Sequence, residues 1–166
     1  MKRLFIHSFK SPIGIIRLAA TEKGLAVVSL PGESRGLFDR QIERDFAGYE
    51  KAKGGRINKQ AESQLRRYLG GKLRQFQLPM EPGGTPFQKK VLRRVQKIPF
   101  GATATYGEIA RAVGHPQASR AVGAANGSNR LPLVIPCHRV VASGGLGGYG
   151  GGLALKKRLL KLEGAL

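Results

Sequence analysis

The segment Pro79-Met80-Glu81-Pro82-Gly83-Gly84 constrains this chain more than any other stretch. Its prolines withhold backbone donors and its glycines resist ordering, so no regular element runs through it. The patterning also changes there, from mixed strand and helix to almost pure helix. The expected organisation is therefore an amino-terminal domain over residues 1–80, a linker over 81–85 and a carboxy-terminal domain over 86–166.

Before the break, residues 3–9 and the runs Ile13–Leu18 and Leu25–Leu30 read as strands. The polar turn Thr21-Glu22-Lys23-Gly24 joins the last two into a hairpin. Phe38, Ile42 and Phe46 recur at helical spacing before Gly48. Residues 49–58 read as a loop, Ala61, Leu65, Tyr68 and Leu69 mark a second helix, and Arg74–Leu78 reads as a further strand. After the break, Thr85 can cap a helix with Pro86 in its first turn and Phe87, Val91, Leu92, Val95 and Ile98 on its buried face. Thr105-Tyr106-Gly107-Glu108 has capping-box spacing for the next helix. Gly114, the His115-Pro116 turn and a small-residue helix over 117–125, ended by Asn126-Gly127, complete a helix-turn-helix pattern. Leu133–Ile135 reads as a short strand closed by Pro136, and Leu153–Glu163 as a last helix.

Charge narrows the partner. Lys and Arg number 29 against 10 Asp and Glu, a formal net charge of +19. Residues 1–85 hold 16 basic and 8 acidic groups, and residues 86–166 hold 13 and 2, the two acids being Glu108 and Glu163. A field of that sign, spread over a chain with folded patterning, favours nucleic acid over a membrane surface. No apolar run approaches the roughly 20 residues of a membrane helix. Nothing after Met1-Lys2-Arg3-Leu4 resembles a secretory leader, so a cytoplasmic location is expected.

Cys137 is the only thiol, which excludes an intrachain disulfide and disfavours a zinc site. A lone cysteine is commonly inert and buried, but His138 is adjacent and the surroundings are basic, which favours thiolate. A histidine oriented by a carboxylate would activate the sulfur, and Glu163 is the natural orienter. On a strand, neighbouring side chains face opposite ways, so Cys137 and His138 meet only if the chain turns or a water bridges them. His7 and His115 read as structural. The glycines of Ser143–Gly152 formally match a dinucleotide fingerprint, yet lack the acidic partner and the βαβ unit, and read as a loop lining a site. The second helix of the helix-turn-helix offers Ala118, Ser119, Ala121, Gly123, Ala124 and a single Arg120. Such a face either approaches the minor groove closely, with little base reading, or simply packs on another helix.

These residues resemble a known family. Ile135-Pro136-Cys137-His138-Arg139-Val140 is similar to the active-site motif of the O6-alkylguanine-DNA alkyltransferases. The likeness runs in order through Thr85–Gln88, Ile98–Gly101, Thr105–Ala110, Ser119–Gly123 and Gly151–Lys156 to Glu163. It implies an α+β protein with a ribonuclease H-like α/β domain, then a helical, winged-helix-like DNA-binding domain. It implies single-turnover removal of the alkyl group from O6-alkylguanine, and from O4-alkylthymine, in double-stranded DNA. The base is flipped from the helix, and the protein acts as a monomer without cofactor or metal. By the same resemblance Cys137 is the acceptor, His138 the base acting through a water, Glu163 its orienter, and Asn129 the tie between the recognition-helix turn and the active-site strand. Tyr106 contacts the flipped nucleotide and Arg120 fills the gap. Ser119, Ala121 and Gly123 form the docking face. Val140, Ser143, Tyr149 and Lys156 line the pocket. Arg130 departs from the usual proline, and Gly150 from a serine found in some relatives. Two other readings compete. A non-catalytic lesion-binding protein would lack the acceptor cysteine, and a thiol hydrolase would ignore DNA.

Overall fold

Strand β1 (Arg3–Ser11) is the spine of the first half of the molecule. It pairs antiparallel with β2 (Gly14–Ala20) and parallel with β4 (Glu50–Lys53), and β2 pairs antiparallel with β3 (Leu25–Ser29), giving the order β3-β2-β1-β4. Helix α1 (Leu37–Phe46) makes the crossover from β3 to β4. Its Phe38, Ile42 and Phe46 cover one face of the sheet, against Leu4, Ala19 and Val27. Strand alternation sends Phe5 and Phe9 to the other face, where α2 (Arg56–Leu69) packs and buries Ile57, Ala61, Leu65 and Tyr68. Gly55 starts that helix at φ 94°, and a Cβ there would lie 2.7 Å from Phe5. The computed structural model describes residues 1–166, which divide into two compact units, Met1–Pro82 and Gly83–Leu166.

Two expectations for the first unit need correction. Residues 49–58 are not a loop throughout, because β4 and the first turn of α2 lie within them. Glu50-Lys51-Ala52-Lys53 is polar and mostly exposed, so no apolar alternation marks it, and β1 holds it by backbone pairing alone. Arg74–Leu78 is not a strand. The Gln64 side chain meets its backbone instead, donating to the Gln77 carbonyl and accepting from the Gln77 N–H at 2.9 Å each. Met80 then bridges to Leu25, with Leu25 N–H donating to Pro79 O and Glu81 N–H to Leu25 O at 2.8 Å each.

The second unit begins with α3 (Pro86–Val95), whose Thr85 cap forms a reciprocal capping box with Gln88. Ile98 is buried in the turn that follows, beyond the helix proper. Strand β5 (Ala104–Thr105) leads into α4 (Tyr106–Ala112), capped reciprocally by Thr105 and Glu108. Helix α5 (Ser119–Gly127) sits two residues later than expected, since the His115-Pro116 turn runs on to Ala118. Helices α3, α4 and α5 pack on one another. Leu133–Ile135 is not a strand either. Pro132 and Pro136 remove donors on both sides, and Leu133 takes a left-handed φ of 74°. A one-turn 3-10 helix (Cys137–Arg139) runs into β6 (Val140–Val141), which pairs parallel with β5, and α6 (Leu153–Leu162) closes the unit. No helix is long and apolar enough to cross a membrane.

Candidate active site

Residues 131–140 are all buried, and the chemistry-bearing tripeptide lies at their end. The 3-10 turn forms because Pro136 accepts from Arg139 N–H at 2.9 Å while Cys137 N–H reaches back to Ile135 O at 2.8 Å. The turn removes the strand alternation that would have set Cys137 and His138 on opposite faces. Cys137 is 7% exposed and His138 fully buried.

Glu163, at the carboxyl end of α6, organises the cluster. Its Oε2 lies 2.8 Å from His138 Nε2. Arg139 grips both oxygens, through Nε to Oε1 at 2.8 Å and Nη2 to Oε2 at 3.0 Å, and donates from Nη1 to Ile98 O at 2.7 Å. The guanidinium also lies 5.8 Å from the Phe100 ring centre. Burial pushes the imidazole below its ordinary range; Glu163 opposes this, and Arg139 and Lys156 reinforce it. A neutral ring beside an ionised carboxylate carries its hydrogen on Nε2 and donates it to Glu163. Nδ1 is then the basic nitrogen. The cluster can therefore take a proton from a thiol without first losing one.

Two asparagines tie this turn to α5. Asn126 donates from Nδ2 to Cys137 O at 3.2 Å, and its buried Oδ1 has no hydrogen-bond partner. Asn129 donates to Ile135 O and accepts from Leu131 N–H at 2.9 Å each. The turn with Arg130 in place of proline is thus fixed from both ends of one amide. Arg130 Nη1 would lie 2.5 Å from a Cβ on Gly83, so it fills the space that glycine leaves.

The remaining candidates fall into three groups. Lys156 is fully buried and donates from Nζ to Val140 O at 2.7 Å and to Gly148 O at 3.0 Å, joining β6 to the glycine loop. Burial lowers its pKa, and the nearby Cys137 acts in the opposite direction. Tyr149 stands edge-on to His138 with ring centres 6.4 Å apart. Tyr106 opens α4 between two glycines. A Cβ on Gly123 would approach its ring to 3.8 Å, and one on Gly147 (φ 73°) would meet its hydroxyl at 2.7 Å. Ser119, Arg120 and Ala121 are exposed on α5, and Ser143 is exposed in the loop. No group of three or more His, Cys, Asp or Glu side chains is placed to hold a metal ion.

Models of two domains match this chain. The 6-O-methylguanine DNA methyltransferase ribonuclease-like domain matches residues 4–82, and the DNA binding domain of the same family matches residues 86–165. A methylated-DNA–protein-cysteine methyltransferase of Methanosarcina acetivorans is 45% identical over 98% of this chain and 99% of its own. The chain belongs to the 6-O-methylguanine DNA methyltransferase family. A second methyltransferase of that name, from Mycolicibacterium paratuberculosis, is 42% identical over 92% of this chain and 88% of its own. Among solved structures, Mycobacterium tuberculosis OGT in complex with DNA superposes with a TM-score of 0.83 at 35% identity, covering 97% of this chain and 93% of that one. The O6-methylguanine-DNA methyltransferase of Pyrococcus kodakaraensis superposes at 0.69 with 28% identity, over 97% and 99% of the two chains.

For a methyltransferase of this family, two residues stand in the site that the sequence did not single out. Arg139 was visible only as a charge beside His138, and its grip on Glu163 depends on a contact 24 positions away. Asn126 had a usable signal, a lone amide in a helix of small apolar residues, but it read as a helix stop.

Proposed function

We propose that this chain restores O6-alkylguanine in double-stranded DNA, and by the same chemistry O4-alkylthymine, through one irreversible transfer to Cys137. Helix α5 docks the duplex by its exposed small face at Ser119 and Ala121, with Gly123 giving room to Tyr106. Arg120 enters the gap left when the base is flipped, offsetting part of an unstacking cost of a few kcal/mol. Val140, Ser143, Tyr149 and Lys156 surround the everted base. Asn129 holds the nucleophile's approach segment.

The displacement balances simply. His138 takes the thiol proton through a water, and Glu163 stabilises the imidazolium that forms. The sulfur lone pair then makes the S–C bond as the C–O6 bond breaks. Guanine leaves with that electron pair and takes up one proton. The thioether has no second thiol to resolve it, because Cys137 is the only cysteine. Each molecule thus acts once, as a monomer on its DNA.

The carrying observation is that the sole cysteine is followed directly by a buried His138 whose Nε2 lies 2.8 Å from the buried Glu163 carboxylate. The test is to incubate the protein with duplex bearing O6-methylguanine, digest it and weigh the Cys137 peptide. A gain of one methylene with loss of the lesion is expected. An unmodified peptide beside intact lesion overturns the reading.

A further inference from the structure

Helix α3 and the turn after it carry Lys89, Lys90, Arg93, Arg94 and Lys97, all exposed. At 100° and 1.5 Å per residue Lys89, Lys90, Arg93 and Arg94 lie within an arc of about 140° and a length of about 8 Å, and Lys97 follows in the turn. Val91, Leu92 and Val95 occupy the opposite side and are buried where α3 meets α4 and α5. The cations therefore form one outward face, separate from the Ser119–Ala121 face of α5.

Nothing in this unit neutralises that face. Its two acids are engaged elsewhere, Glu108 in the cap of α4 and Glu163 in the buried cluster. In the first unit some cations do stand beside acids, in the pairs Arg17–Asp39, Arg44–Asp45, Lys51–Glu43 and Arg66–Glu62. Lys89–Arg93 and Lys90–Arg94 stand at i,i+4, where like charges weaken a helix. A repulsive face kept beside a well-capped helix and a packed core points to a polyanion outside the chain. One strand of duplex DNA presents a phosphate every 3.4 Å along its axis, so the helical part of this face spans roughly two of them, with Lys97 beyond it.

We propose that the outer face of α3 is a second contact for the DNA phosphate backbone, independent of α5 and of the lesion. This rests on the DNA-repair reading above. The face holds undamaged duplex by counterion release, and adds affinity without reading sequence.

The test compares the whole protein with a variant carrying Lys89→Gln, Lys90→Gln, Arg93→Gln, Arg94→Gln and Lys97→Gln. Affinity for undamaged duplex is measured from 50 to 300 mM salt. Two or more lost phosphate contacts make the log–log slope shallower by about 1.8 or more and weaken binding at 0.1 M at least about 50-fold. Transfer from the free base O6-methylguanine to Cys137 should stay at the parent rate, which also reports that the variant is folded. A control with Lys157→Gln, Arg158→Gln and Lys161→Gln removes charge from α6, and should change the slope by much less per charge. An unchanged slope in the α3 variant overturns the proposal. So does an equal effect per charge in the α6 control, which would make the effect one of net charge alone. Loss confined to anionic lipid vesicles, with DNA binding intact, overturns it as well. If the parent protein neither transfers from the free base nor binds duplex, it is the repair reading that fails.

Discussion

Replacing Arg139 by Met tests the buried cluster most directly. The substitution keeps most of the side-chain volume and removes the guanidinium. Three hydrogen bonds are lost, two to Glu163 and one to Ile98 O, all in buried surroundings. Glu163 is left as a buried carboxylate with His138 as its remaining partner among these groups. Breaking a buried ion pair from one side costs about 3–5 kcal/mol, and a domain of this size has only about 5–15 kcal/mol to lose. Arg139 also pushes the His138 pKa down, against Glu163. Without it the carboxylate's pull is less opposed, the imidazole pKa rises, and more of the ring is protonated at neutral pH. A protonated ring cannot accept the thiol proton, so the acidic limb of alkyl transfer moves to higher pH. Urea denaturation gives the stability, and single-turnover transfer to Cys137 across pH 5–9 gives the limb. Arg139→Lys should fall between, because an ammonium cannot fork onto both carboxylate oxygens. A Met variant within about 1 kcal/mol of the parent, with an unmoved acidic limb, would refute the assignment of Arg139 as a positioning residue.

Other outcomes follow from the same contacts. His138 has a folded pKa below its ordinary value, so between that folded value and about 6.5 the unfolded chain binds more protons. Stability therefore falls as pH drops below about 6.5 and levels off below the folded pKa; His138→Gln should lack that segment in denaturation curves taken from pH 4 to 8. Gly147→Ala places a Cβ against the Tyr106 hydroxyl on a φ of 73°, and the left-handed strain alone is about 1–2 kcal/mol. Transfer from duplex should slow more than transfer from the free base, and equal slowing of both would count against Tyr106 as a nucleotide contact. Lys156→Met removes the bridge from Val140 O in β6 to Gly148 O in the glycine loop, and should raise proteolytic cleavage within residues 143–152 while leaving cleavage elsewhere unchanged.

The helices were legible in the sequence because they carry local, redundant signals. Thr85 and Thr105 announce their starts three residues ahead of Gln88 and Glu108, and apolar spacing fixes the buried faces. β4 was not legible, since an edge strand held by backbone pairing has no side-chain pattern to show. Gln77 shows the converse. Its stretch had strand-like composition, but a glutamine side chain took the backbone groups that a neighbouring strand would have used. At the site, the motif residues were readable one by one and their geometry was not. The segment before Cys137 looked like a strand because its apolar residues are buried, and the flanking prolines with Leu133 at positive φ turn it instead. The interactions that set the electrostatics of His138 join positions 138 and 139 to 163, a separation that no local pattern reports.

That buried turn also links docking to chemistry. Both asparagines that hold it come from the end of α5 or just beyond, and both donate to carbonyls at or just before the nucleophile. A rigid-body shift of α5 on the duplex would be passed to the backbone of Cys137 and Ile135 through these two amides. They are not equivalent. Asn129 uses both ends of its amide, whereas Asn126 keeps a buried Oδ1 without a hydrogen-bond partner. Truncating Asn126 to Ala removes one donor and relieves one unsatisfied acceptor, so the loss at Cys137 O, about 1–3 kcal/mol, is partly offset. Truncating Asn129 has no such relief and strips a donor from Ile135 O and an acceptor from Leu131 N–H. Asn129→Ala should therefore destabilise the protein more than Asn126→Ala in urea denaturation. The double variant should lose more transfer rate from duplex than from the free base, since only the duplex reaction uses α5. Equal destabilisation by the two single variants, with equal loss on both substrates in the double, would show that the amides support the fold without coupling the helix to the sulfur.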